Sequence, residues 1–302
     1  MTFASALKRI AKAILPRPAI EHLKRRMPGR AVWPPVPFDN IYPWLNYMFS
    51  ELLIDERRYR PAYAWGVASG VALARVLGLH RVSVIEFGVA GGAGLLNLEA
   101  ICDFVEQKTN IGIDVFGFDS GVGLPKPKDF RDQPNIWFEG QLPMDRAELE
   151  SKLCRAKLRL GPVKETLPPF IAGNPAPVAF ASFDLDLYSS TRDALSLFES
   201  NYALLLPRVV AYFDDIFGLS YNDYCGERAA IAEFNCSNNS RKICPIHGLR
   251  YFIPRFACGD VWPDGMHFAH FFEHPLYNLP DTLNKPMVMN SNGTILWRPV
   301  RS

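Results

Sequence analysis

The chain has 302 residues, 48% of them apolar and 21% charged, a globular balance that excludes disorder over most of its length. No run of about 18 uncharged apolar residues occurs, so no membrane-spanning helix is expected. The formal charge of +2 is unevenly spread: residues 1–30 hold eight Lys or Arg against the single acid Glu21, leaving the remainder acidic. A nucleic-acid binder would spread basic residues over its fold, so none is expected as a partner.

In the basic leader, Phe3, Leu7, Ile10, Ala11 and Ile14 recur at helical spacing with Lys8, Arg9 and Lys12 between them. Two readings stand: a helix lying on an anionic membrane surface through residues 1–30, or a solvated N-terminal helix. Charges interrupt the apolar positions too often for a secretory signal. Pro34, Pro35 and Pro37 mark an extended linker. Residues 44–79 read as helix broken near Pro61. Residues 81–87 (RVSVIEF) then change period to a buried strand. A helix with Leu95, Leu98, Cys102 and Val105 on one face follows, then a strand over 113–118 ending at Asp119.

Further on, 145–157 reads as helix, 158–163 as a short strand, 177–183 as a strand ending at Asp184, and 190–202 as helix. A strand over 208–213 ends at Asp214 and Asp215, and 228–234 is helical. Late strands are expected at 249–253 and 266–272, as a hairpin, and more weakly at 294–297. Strands alternating with helices predict a mostly parallel sheet covered on both faces. The implied organisation is a leader and linker (1–36), a helical cap (37–80), an α/β core (81–256) and a C-terminal extension packed on it (257–302). Six cysteines lie scattered without a CxxC pair. That speaks against a zinc ribbon or disulfide scaffold and for reduced thiols in a cytoplasmic protein.

Ligands of open α/β sheets bind beyond the carboxyl ends of the strands. Gly88, Asp119, Asp184, Asp214 and Asp215 all fall on that rim. The loop from Glu86 to Gly94 lacks the Lys-Ser/Thr of a phosphate loop and the GxGxxG spacing of a dinucleotide site. It retains E-x-G-x-x-x-G, through Glu86, Gly88 and Gly92, with Gly91 alongside. Asp119, ending the next strand, is placed to accept both hydroxyls of a ribose. Together these favour a nucleoside site over a glycine turn that only packs helix on strand. Asp184 and Asp186, two apart, and Asp214 and Asp215 on the neighbouring strand would repel one another in a desolvated cleft. A hard divalent cation resolves that repulsion; otherwise some of the four cap helices or face solvent.

These pieces, in order, resemble class I S-adenosylmethionine-dependent methyltransferases, and more narrowly the macrocin O-methyltransferase type, which methylates sugar hydroxyls of antibiotics. VIEFGVAGGAG, VFGFDSGVGLP, GPVKETLP, SFDLDLYSSTRDAL, VVAYFDDI and GERAAIAEF match the family's motifs over roughly residues 80–255. The resemblance implies a Rossmann-like fold, a mostly parallel seven-stranded sheet with one antiparallel strand. It implies S-adenosylmethionine held by Glu86, Gly88, Gly91, Gly92, Asp119, Ser120, Gly161 and Asp184. It further implies Mg2+ on Asp184, Asp214 and Asp215, with Asp186 as general base. Gly121 and Leu185 depart from the family's Phe and Gly. The expected acceptor is a sugar or glycosylated small molecule. A catechol-like phenol, and a non-catalytic nucleoside-binding module at a membrane surface, remain as alternatives. A homo-oligomer is in keeping with the family.

In the extension, His267, His270 and His274 stand at i, i+3 and i+7 beside Glu273. A strand there would set His267 and His270 on opposite faces, against a shared metal. His247 is a second candidate base. Trp262, Phe268, Phe271, Phe272 and Tyr277 read as an extra packing layer.

Overall fold

Four runs rich in β-branched and aromatic residues, β1 (Arg81–Phe87), β2 (Gly112–Asp119), β4 (Val178–Phe183) and β5 (Leu205–Phe213), and the short KLRL run of β3 (Lys157–Leu160) become parallel strands. With β6 (Arg241–Pro245) and β7 (Met266–Phe271) they form one seven-stranded sheet in the order β3-β2-β1-β4-β5-β7-β6. Only β7 runs antiparallel to its neighbours, β5 and β6. This computed structural model describes residues 48–53, 59–218, 222–253 and 261–277, and the backbone of 287–289 and 295–297. The chain divides into two compact units, 1–41 and 42–302. The first, with the basic leader, lies outside the described residues.

The topology is the expected Rossmann-like one, a mostly parallel seven-stranded sheet with one antiparallel strand. The order in which successive strands are added reverses between the parallel neighbours β1 and β4, where such sheets open a crevice for ligands. Every residue of β4, and all of β1 after Arg81, is buried, as a sheet covered on both faces requires. At the carboxyl ends of four adjacent strands, Phe118 (the last residue but one of β2), Phe87, Phe183 and Phe213 line up in a row, with ring centroids 5.0, 5.2 and 4.6 Å apart. Each buried phenyl is worth about 1.5–3 kcal/mol. The row forms a rigid apolar floor just beneath the carboxyl-terminal rim.

The helix α1 (Pro61–Val76) opens on a proline at its first turn and is buried on nearly every side, which suits its Ala, Val and Gly content. The helix α2 (Ala93–Thr109) buries Leu95, Leu98, Cys102 and Val105, the expected face. Further helices are α3 (Arg146–Lys152), α4 (Val163–Ala172), α5 (Tyr188–Leu195) and α6 (Gly226–Ser237), and residues 48–53 are helical as well. Among the described residues no helix is long and apolar enough to cross a membrane.

Several expected elements are corrected. The strand expected over 158–163 stops at Leu160, because Pro162 cannot donate to a ladder and instead caps α4. The helix expected over 190–202 begins at Tyr188 and tightens into 3-10 turns at Ser196–Glu199 and Tyr202–Leu204, where Asn201 caps the Ala203 amide at 2.9 Å. Leu249–Tyr251 is a 3-10 turn after Gly248 rather than a strand. The antiparallel partners of β7 are β5 and β6, and β6 is a run to which the sequence reading assigned no element. The short strands β8 (Met287–Met289) and β9 (Ile295–Trp297) pair separately from the main sheet. Trp262 packs against Phe49 and Phe268 against Trp65; the extension's aromatics do not form the expected separate layer, because Phe268 and Phe271 belong to β7, a strand of the main sheet, and Phe272 is exposed.

Candidate functional site

The sheet ladder continues one residue beyond each phenylalanine of the floor. Gly88 N–H donates to Phe118 C=O, Asp184 N–H to Phe87 C=O and Asp214 N–H to Phe183 C=O, at 2.9–3.0 Å. These bonds fix the rim. Above it lies a cavity of about 440 Å3, a volume typical of small-molecule sites. Glu86, Gly88, Gly91, Gly92, Asp119, Ser120, Gly161, Asp184 and Asp186 all line it. Asp214 and Asp215 do not line it.

Gly88 has φ +84°, and a Cβ there would sit 1.7 Å from the Asp184 carbonyl oxygen. Only glycine lets the loop after β1 pass so close to the end of β4. The Asp119 carboxylate braces that loop: Oδ2 accepts the Val89 and Ala90 amides, both at 2.9 Å, and Oδ1 accepts the Gly121 amide at 2.6 Å. With about two lone-pair directions per oxygen, one remains on Oδ1. The expectation of both ribose hydroxyls on Asp119 therefore narrows to one.

Glu86 is buried beneath the loop. Its Oε1 accepts the Tyr63 hydroxyl at 2.6 Å, and Tyr63 in turn accepts from Ser182 at 3.0 Å. Its Oε2 has no hydrogen-bond partner. Burial pushes this carboxyl up to about 8, against the Tyr63 hydrogen bond that lowers it. A buried oxygen without a partner at a cavity wall is a position for a ligand donor.

The acids at the ends of β4 and β5 crowd one another. Burial, then the charges of Asp214 and Asp215, raises Asp184 to about 7. Asp186 is raised by burial and by Asp215. Asp186 has φ +59°, with the Leu187 amide donating to the Leu185 carbonyl across it at 2.5 Å. This tight turn is a strained arrangement for a residue with a Cβ, and it aims Asp186 into the cavity. The expected cluster of Asp184, Asp214 and Asp215 is not drawn together as a ligand set. Asp214 Oδ1 accepts the Tyr212 hydroxyl at 2.7 Å, and Asp215 Oδ2 accepts the Asp186 amide at 3.1 Å. Among the described residues no three His, Cys, Asp or Glu side chains are placed to hold a metal ion. The donor chemistry suits a hard cation; the placement of the oxygens does not provide its site.

Behind Asp215 stands the fully buried Glu227, whose Oε2 accepts the Asp215 amide at 3.0 Å. On the opposite wall the loop after β2 is pinned by buried Asp132, which accepts the Lys128 amide at 2.8 Å and the Ser189 amide at 2.7 Å. Sequence reading missed Asp132, Tyr63, Glu227 and Arg60. Arg60, Tyr63 and Asp132 lie outside the matched motifs and act through partners distant in the chain, while Glu227 lies within GERAAIAEF without having been singled out. Lys164 and Ser189 also line the cavity, within segments already matched as motifs.

The histidines of the extension are held apart. His267 is buried, its Nδ1 2.9 Å from the Gly265 carbonyl, and burial lowers it to about 4. His270 meets the Tyr277 hydroxyl at 2.8 Å, while His274 Nδ1 accepts the Leu276 amide at 3.0 Å. His247 is exposed and does not line the cavity.

No family model matches the chain, and no curated protein matches it. Among solved structures, the chain is similar to CalS11, a calicheamicin methyltransferase, at 21% identity over 81% of this chain and 87% of that one, with a TM-score of 0.47. The apo structure of CalS11, described as a TDP-rhamnose 3'-O-methyltransferase of calicheamicin biosynthesis, aligns at 22% identity over 78% and 93%, with a TM-score of 0.39. An O-methyltransferase from Bacillus cereus in complex with SAH aligns at 16% identity over 70% and 84%, with a TM-score of 0.32. At these identities and scores no activity passes from them to this chain.

Proposed function

We propose that the chain is an S-adenosylmethionine-dependent O-methyltransferase that methylates a hydroxyl of a sugar or glycosylated small molecule with the help of Mg2+. The observation that carries this reading is the rim itself: nine residues singled out for donor binding and catalysis line one cavity at the switch point of the sheet. The donor fits this wall. Gly88 leaves room for no side chain, Glu86 Oε2 awaits a donor group, and Asp119 Oδ1 has capacity for one ribose hydroxyl.

Methyl transfer from a sulfonium needs little covalent help; alignment of the acceptor oxygen and removal of its proton are the protein's tasks. Asp186 is the base in this reading, taking the acceptor hydroxyl proton on its carboxylate. The strained turn around Asp186 holds that carboxylate at the cavity. Asp184, Asp214 and Asp215 would supply the oxygens for Mg2+ only by turning toward one another, since they are not gathered into a ligand set here; once bound, the ion would lower the pKa of a chelated hydroxyl.

The test is a methyl-transfer assay with labelled donor over a panel of sugars, glycosides and catechols, alongside calorimetry with S-adenosylhomocysteine. Asp186→Asn is expected to lose about 100-fold or more in turnover, the usual contribution of a general base, with homocysteine-nucleoside affinity unchanged. EDTA is expected to remove turnover and Mg2+ to restore it. Absence of S-adenosylhomocysteine binding by the wild-type chain would refute the donor assignment; full turnover in EDTA would refute the metal.

A further inference from the structure

The loop that follows β2 carries apolar side chains to the outside. Val122, Phe130, Phe138 and Leu142 are 76%, 68%, 62% and 53% exposed. Single exposed apolar residues are ordinary, whereas several gathered on one loop mark a contact surface. Backbone bonds build this loop into a platform. Leu124 N–H donates to the Gln141 carbonyl at 2.7 Å, Gly140 N–H to the Leu124 carbonyl at 2.9 Å, and Phe138 N–H to Gln141 Oε1 at 2.7 Å. These bonds lay residues 122–124 beside 138–142, which brings Val122, Phe138 and Leu142 close together. Leu142 holds φ +57°, a strained conformation for a residue with a Cβ.

The charges of the loop are sorted as well. Asp129 is spent on Arg131 at 2.8 Å, and buried Asp132 on the Lys128 and Ser189 amides. Lys126 and Lys128 are exposed and, among the described residues, close no ion pair; Glu139 is the remaining exposed acid of the loop. Apolar side chains with lysines between them complement an anionic bilayer, the first entering the acyl boundary and the second staying among the headgroups. The eight Lys or Arg of residues 1–30 suit the same surface. A second copy of the chain would bring its own lysines to the contact, which like charge opposes. Gly123, Leu124, Pro125, Lys128 and Leu142 also line the cavity, so the platform stands at its mouth. We propose that the loop after β2 docks the molecule on an anionic lipid surface, with Val122, Phe138 and Leu142 inserted and Lys126 and Lys128 on the headgroups. The cavity then opens toward the bilayer. Resting on the methyltransferase reading above, the acceptor is the glycan headgroup of a membrane lipid, presented to Asp186 while its acyl chains stay in the bilayer.

Vesicle binding tests the docking with neither donor nor acceptor present. The full chain is sedimented with vesicles of phosphatidylcholine containing about 30% phosphatidylglycerol. The basic leader adds its own attraction, so the loop is read by difference. Val122→Ser/Phe138→Ser is expected to weaken binding about tenfold, as loss of two apolar anchors does. Phe272→Ser is the control. Because β7 runs antiparallel, exposed Phe272 lies at the end of the sheet opposite the rim, and its loss is expected to leave binding within about twofold. Phe138→Trp is expected to add emission that lipids brominated in the acyl chain quench. Unchanged binding by Val122→Ser/Phe138→Ser at a wild-type melting temperature, or added emission that brominated lipid leaves untouched, would overturn the docking and assign any vesicle binding to the leader. No vesicle binding by the wild-type chain would overturn it too. Light scattering that shows a dimer, dissociated by Val122→Ser/Phe138→Ser, would give the surface to a second copy instead. Failure to bind S-adenosylhomocysteine would overturn the methyltransferase reading and leave the docking standing.

Discussion

At the scale of single residues, Glu86 concentrates the tension of the site. It is buried with one oxygen satisfied and one bare, so its charged form is disfavoured and its carboxyl is held up to about 8. In the unfolded chain the same group ionises near 4.5. The folded form therefore binds its proton more tightly, and the stability this group contributes is fully present below pH about 4.5 and is lost as pH rises through about 8. The donor-free protein should melt at progressively lower temperature from pH 6 to pH 9. Glu86→Gln keeps the shape and still accepts the Tyr63 hydroxyl, but cannot ionise. It is expected to flatten that decline, and thermal melts across the range that run parallel to the wild type would refute the assignment. The rim residues around Glu86 were legible in the sequence because each lies in one short segment at the end of a strand. Phe followed by Gly or Asp occurs at Phe87, Phe118, Phe183 and Phe213, and each instance marks both floor and rim. Arg60 and Tyr63 were not legible, since nothing near Arg60 in the chain records that Glu86 will fold against Tyr63.

At the scale of elements, the position of α1 decides where Arg60 and Tyr63 stand. The helix lies flush on β4 through two glycines one turn apart. A Cβ at Gly66 would meet the Phe180 ring at 2.3 Å, and one at Gly70 would meet the Ala179 carbonyl oxygen at 2.6 Å. Two effects oppose each other in Gly70→Ala. Alanine favours a helix interior over glycine by about 1 kcal/mol. Overpacking a core costs about 1–3 kcal/mol, and here the obstacle is backbone of a central strand, which has little freedom to move. The clash wins, so the variant is expected to lose about 1–2 kcal/mol net, read as a lowered urea midpoint at unchanged slope. Its S-adenosylhomocysteine affinity should fall as well, because lifting α1 off the sheet draws Tyr63 from Glu86. A variant with wild-type midpoint and affinity would show that α1 does not set the site. The sequence displayed α1 through its Ala, Val and Leu content. It concealed β6, whose Arg241 and Lys242 side chains are spent on bonds to the carbonyls of Phe198, Ser200, Asn235 and Asn238. A strand stabilised by such bonds leaves no alternation to detect.

At the scale of the whole molecule, the parallel sheet gathers acids from distant parts of the chain onto one rim, and the cavity answers with few cations. Glu86 is held at about 8 and Asp184 at about 7, with Asp186 raised beside them, so near neutral pH the donor-free site keeps protons on carboxyls that chemistry requires as anions. A sulfonium and an ammonium arriving together favour the ionised forms. Donor binding at pH 7 should accordingly release protons into solution. Calorimetric titrations in buffers of different ionisation enthalpy measure that release directly. S-adenosylmethionine is expected to expel more than S-adenosylhomocysteine, whose thioether is uncharged, and the difference should shrink above pH 9, where the acids are already ionised. Identical release by the two would mean that the sulfonium lies away from the β4 rim, and Asp186 would then be too far from the methyl group to serve as base. The coupling runs both ways: because the empty site resists charge, it is the cationic donor that brings the base into its working form, and an acceptor bound without donor would meet an acid rather than a base.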